Sequence, residues 1–244
     1  MKSYIFVPIL VLSALISWWI FTQLPHFVQA GGPLVALLIM LSILTFTFIA
    51  ERLLVLSRAN GSGDIGQFIR RLKKDVDDGN IQAAVELCRK QRGCLANVVG
   101  AGLERYQQLK GKAGMEKDEV VDETRRAIEE ANALETPLLE RNLIALSTIA
   151  SIATMVGLLG TTIGMIRSFS AMSNAGAPDA SKLALGISEA LINTAGGLGI
   201  AIVAIVAYNY FTQRVDAFNY SMDETTYEVL TLLQHGKEGK RVQG

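Results

Sequence analysis

The chain is short of the side chains that most enzymes use. Among 244 residues there are two histidines and two cysteines. His26 sits beside Pro25 between two apolar stretches and His235 lies in a polar tail, so neither can activate a hydroxyl nucleophile inside those stretches. As metal ligands they stand alone. Cys88 and Cys94 fall in the most charged part of the chain and fit neither a zinc spacing nor a disulfide framework, so they read as unpaired cytosolic thiols. A Walker-type phosphate loop is missing too: Gly157-Leu158-Leu159-Gly160-Thr161 lacks the lysine and lies in an apolar run. The expectation is a protein that is not an enzyme and has no cofactor and no metal. Net charge is absent as well, because 23 basic and 23 acidic residues cancel, and nothing in that balance points to nucleic acid.

Charge is also missing locally. No Asp, Glu, Lys or Arg occurs between Lys2 and Glu51 or between Arg141 and Arg167, and only Glu189 occurs between Lys182 and Arg214. Such gaps are long enough for membrane helices, which need about 20 apolar residues each. The first gap is too long for one span and is broken by Pro25, Gly31, Gly32 and Pro33. Its second half, from Pro33 to about Leu56, has a helix-starting proline and a charged exit at Glu51, Arg52 and Arg58, and reads as a span. Its first half, Tyr4 to Leu24, is either a further span or a signal peptide with a small-residue pattern at Val28-Gln29-Ala30. Pro8 and the long apolar core favour a retained helix.

Between Ser57 and Glu140 the composition becomes that of a soluble helical segment. Ile65, Phe68, Ile69 and Leu72 recur at helical spacing, then Ala83, Ala84, Leu87 and Cys88, and a third helix runs from Cys94 to about Leu109. After Lys110-Gly111-Lys112-Ala113-Gly114, a long charged helix from Lys117 to Leu139 carries Val120, Val121, Ile128, Ala131, Leu134 and Leu138 as an apolar stripe. Pro137 predicts a kink or a helix restart just before the next span.

The last two apolar segments form a hairpin. Asn142 to about Met172 places Ser147, Ser151, Thr154, Thr161 and Ser168 on one face, to line a path or simply to bond to the preceding turn. Gly157, Gly160 and Gly164 allow close helix approach. Leu183 to Gln213 holds one charge, Glu189, at a cost on the order of 2.5 to 3.5 kcal/mol by insertion scales. Glu189 either marks a polar pathway or satisfies packing between helices. Asn193 shares its face, whereas Thr194 lies about 140° away and near mid-membrane. Gly196, Gly197 and Gly199 read as packing residues. Beyond the span, Tyr208, Phe211, Val215, Phe218, Met222, Thr225, Val229 and Leu232 predict an amphipathic continuation of about 20 residues that packs on a partner helix. Basic residues cluster on one side of the spans, which puts the large loop and the C-terminus in the cytoplasm.

The motif Gly157-Leu158-Leu159-Gly160-Thr161 with Gly164-Met165-Ile166, followed by Gly186-Ile187-Ser188-Glu189-Ala190-Leu191-Ile192-Asn193-Thr194-Ala195-Gly196-Gly197-Leu198, resembles the two signature spans of the MotA/TolQ/ExbB proton-channel family, nearest to ExbB. Leu139-Glu140-Arg141-Asn142-Leu143 and Glu51-Arg52-Leu53 resemble it also, so the likeness covers roughly Gly31 to Tyr210. It departs at Thr154, where the family often has proline, and in the extra N-terminal piece. The resemblance implies an all-α integral membrane protein with three signature transmembrane helices and long helices reaching into the cytoplasm, to which the residues themselves add an extra N-terminal hydrophobic helix. The expected segments are an N-terminal helix over 1–30, spans over 31–56, 141–172 and 183–213, a cytoplasmic helical domain over 57–140, a periplasmic loop over 173–182 and a cytoplasmic helix and tail over 214–244.

By the same resemblance the chain is a stator subunit of the bacterial inner membrane, forming a homo-oligomer, a pentamer in the family. It would surround an ExbD/TolR-like single-span partner whose aspartate carries the proton, and would drive a TonB-like protein. Thr161 and Thr194, with Glu189 and Asn193, are the expected path residues. TolQ-like envelope maintenance, a motility stator and a passive membrane scaffold are the alternatives.

Overall fold

The structure, a computed structural model, describes residues 3–29, 31–110, 115–174 and 180–235. Ala30 of the candidate cleavage pattern, linker residues 111–114, Asp179 and the tail 236–244 lie outside the described residues. Among the described residues the chain is all-α. In chain order, α1 is Ser3–Gln23, α2 the single turn His26–Gln29, α3 Pro33–Ala59, α4 Ile65–Asp77 and α5 Ile81–Gln91. Then come α6 at Cys94–Leu109, α7 at Lys117–Glu140, α8 at Leu143–Asn174 and α9 at Ala180–His235. Among the described residues three stretches are long and apolar enough to cross a membrane: Pro33–Ala59, the part of Lys117–Ser170 occupied by α8, and Leu183 onward in α9. The chain divides into two compact units, 1–51 with 142–211 and 52–141 with 212–244.

In the first unit, α1 lies against α3 through small polar residues. Ser13 and Ser17, one turn apart, are buried while Leu12, Leu15, Trp18 and Trp19 are exposed. Ser17 donates across to the carbonyl of Ala36. A hydroxyl in an apolar helix normally bonds back to its own preceding turn, as Ser13 does to Leu10. Ser17 instead ties two helices together.

The second unit is a helical bundle with its own apolar core. Asp64 caps α4 by accepting from the amides of Gly66 and Gln67 at 2.7 and 3.2 Å, and Asn80 caps α5. Phe68, Leu72 and Val76 face inward from α4. On α5 the buried set is Ile81, Ala84, Val85 and Cys88; the expected Ala83 and Leu87 sit at its margin. Helices α6 and α7 run antiparallel, with Arg105 against Glu123 at 2.7 Å and Asn97 against Glu135 at 2.8 Å. The expected α7 stripe is buried at Val120, Val121 and Ile128. Leu134 and Leu138 are exposed instead, because the buried face of α7 runs through Thr124, Ile128 and Leu139 and both leucines lie about 80° or more away from Ile128 around the helix.

The helix restart expected near Pro137 comes a few residues after it, between Glu140 and Leu143. Helix α7 runs on to Glu140 and closes with the Arg141 amide donating to the Pro137 carbonyl at 3.1 Å. The break falls at Asn142, whose φ of 62° is left-handed, and α8 starts one residue later. Asn142 Nδ2 reaches both carboxylate oxygens of Glu51, at 2.9 and 2.8 Å. Next to this clamp Arg52, 1% exposed, donates to the carbonyl of Leu139 at 3.0 Å. Two short motifs distant in sequence are thus joined where helix gives way to helix.

Beyond residue 211, α9 continues without interruption to His235. Val215, Met222, Thr225, Val229 and Leu233 are buried, with Leu233 replacing the expected Leu232. The partners of this stretch come from the same chain: Glu228 pairs with Lys73 of α4, and the Gln234 carbonyl accepts from Lys117 of α7.

Two outcomes are expected. Asn142→Ala should lower stability by about 2 to 4 kcal/mol, adding the left-handed backbone cost to the lost carboxylate bonds. Asn142→Gly should lose less, because only the bonds go; unfolding in detergent micelles measures both. Burial pushes the Cys88 and Cys94 thiols up to about 12, helped at Cys88 by the charge of Glu104 and at Cys94 by a hydrogen bond to Glu135. Only roughly one thiol in ten thousand is then ionised at pH 8. Iodoacetamide should label neither cysteine in the folded protein, and both after denaturation.

Candidate functional site

Helices α8 and α9 pack antiparallel along a line of small residues. Gly157 lies opposite Gly197, Gly160 opposite Asn193, Gly164 opposite Ala190 and Ser168 opposite Gly186. At the far end, buried Ala150, Ala201 and Ala204 close the same line. The backbones approach closely enough that a methyl group on Gly164 would lie 2.7 Å from the Gly186 carbonyl oxygen, and one on Gly197 2.9 Å from Gly157 Cα. Lipid gives apolar helices no hydrophobic reason to associate, so this contact rests on backbone packing and polar links. Gly196 turns instead toward Leu38 of α3, 3.3 Å from where its methyl would be. Within the subunit, a methyl on Gly199 would meet no atom within 4 Å.

On one flank of the seam Thr161 and Thr194 bring their hydroxyls together. Both oxygens also lie within reach of the Gly157 carbonyl, at 3.2 and 3.3 Å. Each hydroxyl carries one proton and can both donate and accept, so the cluster can pass a proton by reversing its bonds but cannot store one near neutral pH. Both threonines are only half-buried within the subunit.

On the other flank is a charge pair. Arg167 Nη1 donates to Glu189 Oε1 at 2.5 Å. Glu189 is 7% exposed. Relative to the glycine line, Thr161 and Arg167 lie about 60–70° to opposite sides of α8, as Thr194 and Glu189 do on α9. Between the flanks sits Asn193, 0% exposed, whose Nδ2 donates to the Gly31 carbonyl at 2.8 Å and the Glu189 carbonyl at 3.0 Å. Gly32, at φ 72°, completes the cover, since a methyl there would stand 2.8 Å from Glu189 Oε1.

The structure therefore brings Thr161 to Thr194, and Glu189 to Asn193, but not the two pairs to each other. Of the remaining hydroxyl stripe, Ser151 and Thr154 are exposed and donate to the preceding turn, while Ser168 is buried in the seam and bonds to the Gly164 and Leu183 carbonyls. Arg167 was legible only as an end-of-span charge, and the Gly31-Gly32 turn only as a break. The signal that could have found them is the hairpin register, which sets residue 167 against residue 189 once Thr161 is set against Thr194.

A family model described as the MotA/TolQ/ExbB proton channel family matches residues 91–224, which include the whole α8–α9 seam. The chain belongs to that family. Among its relatives, the Tol-Pal system protein TolQ of Pseudomonas aeruginosa is 32% identical over 160 residues, 61% of this chain and 69% of the relative. TolQ of Haemophilus influenzae is 29% identical over 206 residues, 84% and 90% of the two chains. The biopolymer transport protein ExbB of Salmonella typhimurium is 37% identical over 87 residues, 36% of each chain. Membership in this proton-channel family gives the threonine seam a chemical context that its geometry suits.

Gly197→Ala should destabilise the hairpin by about 1 to 3 kcal/mol, because the clashing atoms are backbone and cannot move aside. Gly199→Ala should be neutral or stabilise by up to about 1 kcal/mol through helix propensity. Unfolding in micelles separates the two; equal effects would contradict the seam.

Proposed function

We propose that this chain is a proton-motive stator subunit of the bacterial inner membrane, in which the α8–α9 hairpin forms one wall of a proton path. The observation that carries this reading is the Thr161–Thr194–Gly157 cluster, which can relay a proton but not hold one. The acid that carries the proton is then supplied by an ExbD/TolR-like single-span partner bearing an aspartate, and the half-buried threonine flank faces it. Asn193 and Glu189 support the path from behind. The working assembly is a homo-oligomer, a pentamer, around that partner, with the bundle of residues 57–140 and the C-terminus in the cytoplasm.

The work done is the energising of a TonB-like protein for outer-membrane transport, as in ExbB. A TolQ-like role in envelope maintenance is the second reading, and the 206-residue alignment with a TolQ supports it. The chemistry in the membrane is common to both; only the driven protein differs. Identifying the single-span protein that co-purifies with the chain distinguishes them.

Proton flux into liposomes containing the chain and its co-purified partner tests the path. Thr194→Val keeps the shape of the side chain and removes the hydroxyl, and should reduce flux by about tenfold or more, in the range of a lost proton-transfer group. Undiminished flux in the variant, or none in the wild type, would contradict the proposal.

A further inference from the structure

The charge pair on the far flank takes no part in the proposed path, yet it is the costliest feature of the seam. A carboxylate in a membrane span needs either a proton or a counter-ion. Here Arg167 supplies the counter-ion at 2.5 Å from a helix that meets α9 in antiparallel register. The pair is also built into its surroundings. Asn193, one residue before Thr194, holds the carbonyl of Gly31 and that of Glu189 together. Gly32 lies against the carboxylate with room for no side chain, and a methyl there would stand 3.5 Å from Arg167 Nη1. Three elements therefore converge on one ion pair: α8 through Arg167, α9 through Glu189, and the turn entering α3 through Gly31 and Gly32.

We propose that Arg167 is a positioning residue: by pairing with Glu189 against the Gly31-Gly32 turn, it fixes the rotation of α9 on α8 and so the meeting of Thr161 with Thr194, without carrying protons. The reasoning is geometric. Asn193 and Thr194 are neighbours on one rigid helix, so an element that seats the first sets the angle of the second. Arg167 and Thr161 stand in the same relation on α8, about 9 Å apart along the axis. The proposal rests on the path reading given above.

The test uses the full chain with its co-purified partner in liposomes, comparing Arg167→Gln, Glu189→Gln, the double Arg167→Gln/Glu189→Gln, and Arg167→Lys. Arg167→Gln leaves the buried Glu189 carboxylate without its counter-ion and Glu189→Gln leaves the half-exposed guanidinium without its acceptor, and each should lower flux by about tenfold or more. The double variant can bridge the helices with neutral amides and should return to within about fivefold of the wild type. Arg167→Lys keeps the ion pair and should stay within about threefold. A double variant that inserts and binds the partner normally but is as inactive as Glu189→Gln would overturn the proposal, since Glu189 would then itself carry protons. Wild-type flux in Arg167→Gln would overturn it too. If the glutamine variants fail to insert, Arg167→Lys decides: flux and thermal stability both near wild type support an ion pair that positions the seam, and wild-type stability with flux lowered about tenfold or more would overturn it. Failure of the path reading is distinguishable, because Thr194→Val would then conduct normally while the rescue by the double variant would still appear in thermal stability.

Discussion

Close approach of two backbones is the constraint on which the membrane unit depends. Glycine or alanine at positions 157, 160, 164, 186, 190 and 197 lets α8 and α9 come within van der Waals contact of main-chain atoms. At that distance polar groups on the flanks can reach across: hydroxyl to hydroxyl on one side, guanidinium to carboxylate on the other. Larger residues on the centre line would push the helices apart and separate both pairs. Packing and chemistry are therefore one problem here, and the small residues are as much part of the site as the groups that bond.

The two flanks use different chemistry for a physical reason. Neutral hydroxyls are inexpensive to leave half-buried, and they can face a surface that another subunit completes. A carboxylate is expensive to bury and is placed where a guanidinium, an asparagine and a glycine turn surround it. The same logic governs the Glu51–Asn142 clamp, where the left-handed residue that separates α7 from α8 is held by a carboxylate from α3. In both places a charge stabilises a bend or junction that hydrocarbon packing alone would leave undetermined.

Much of this was legible in advance. Long charge-free runs located the membrane helices, because a charge in hydrocarbon is costly enough to be nearly absent from them. The helical recurrence of Ile65, Phe68, Ile69 and Leu72, and of Ala84 and Cys88, marked the soluble helices. Errors of face were small and local: Val85 for Ala83 on α5, Leu233 for Leu232 on α9. Pro137 located the restart only to within a turn, since proline weakens a helix through the one amide it lacks and the clash one turn back, and α7 accommodates both near its end. The true break needed a residue able to take positive φ, and Asn142 was not read that way.

Within each helix, the 3.6-residue repeat already separated Glu189 from Thr194 and joined it to Asn193, and the family motifs singled out both threonines. Sequence alone thus determined the spans, the relative angles of side chains on any one helix, and the family. Only the tertiary structure decided which residues meet between helices: Thr161 with Thr194, Arg167 with Glu189, Asn193 with Gly31. Periodicity sets angles about a single axis, whereas the rotation and register of one helix against another come from steric contact along the glycine line, which no local pattern encodes.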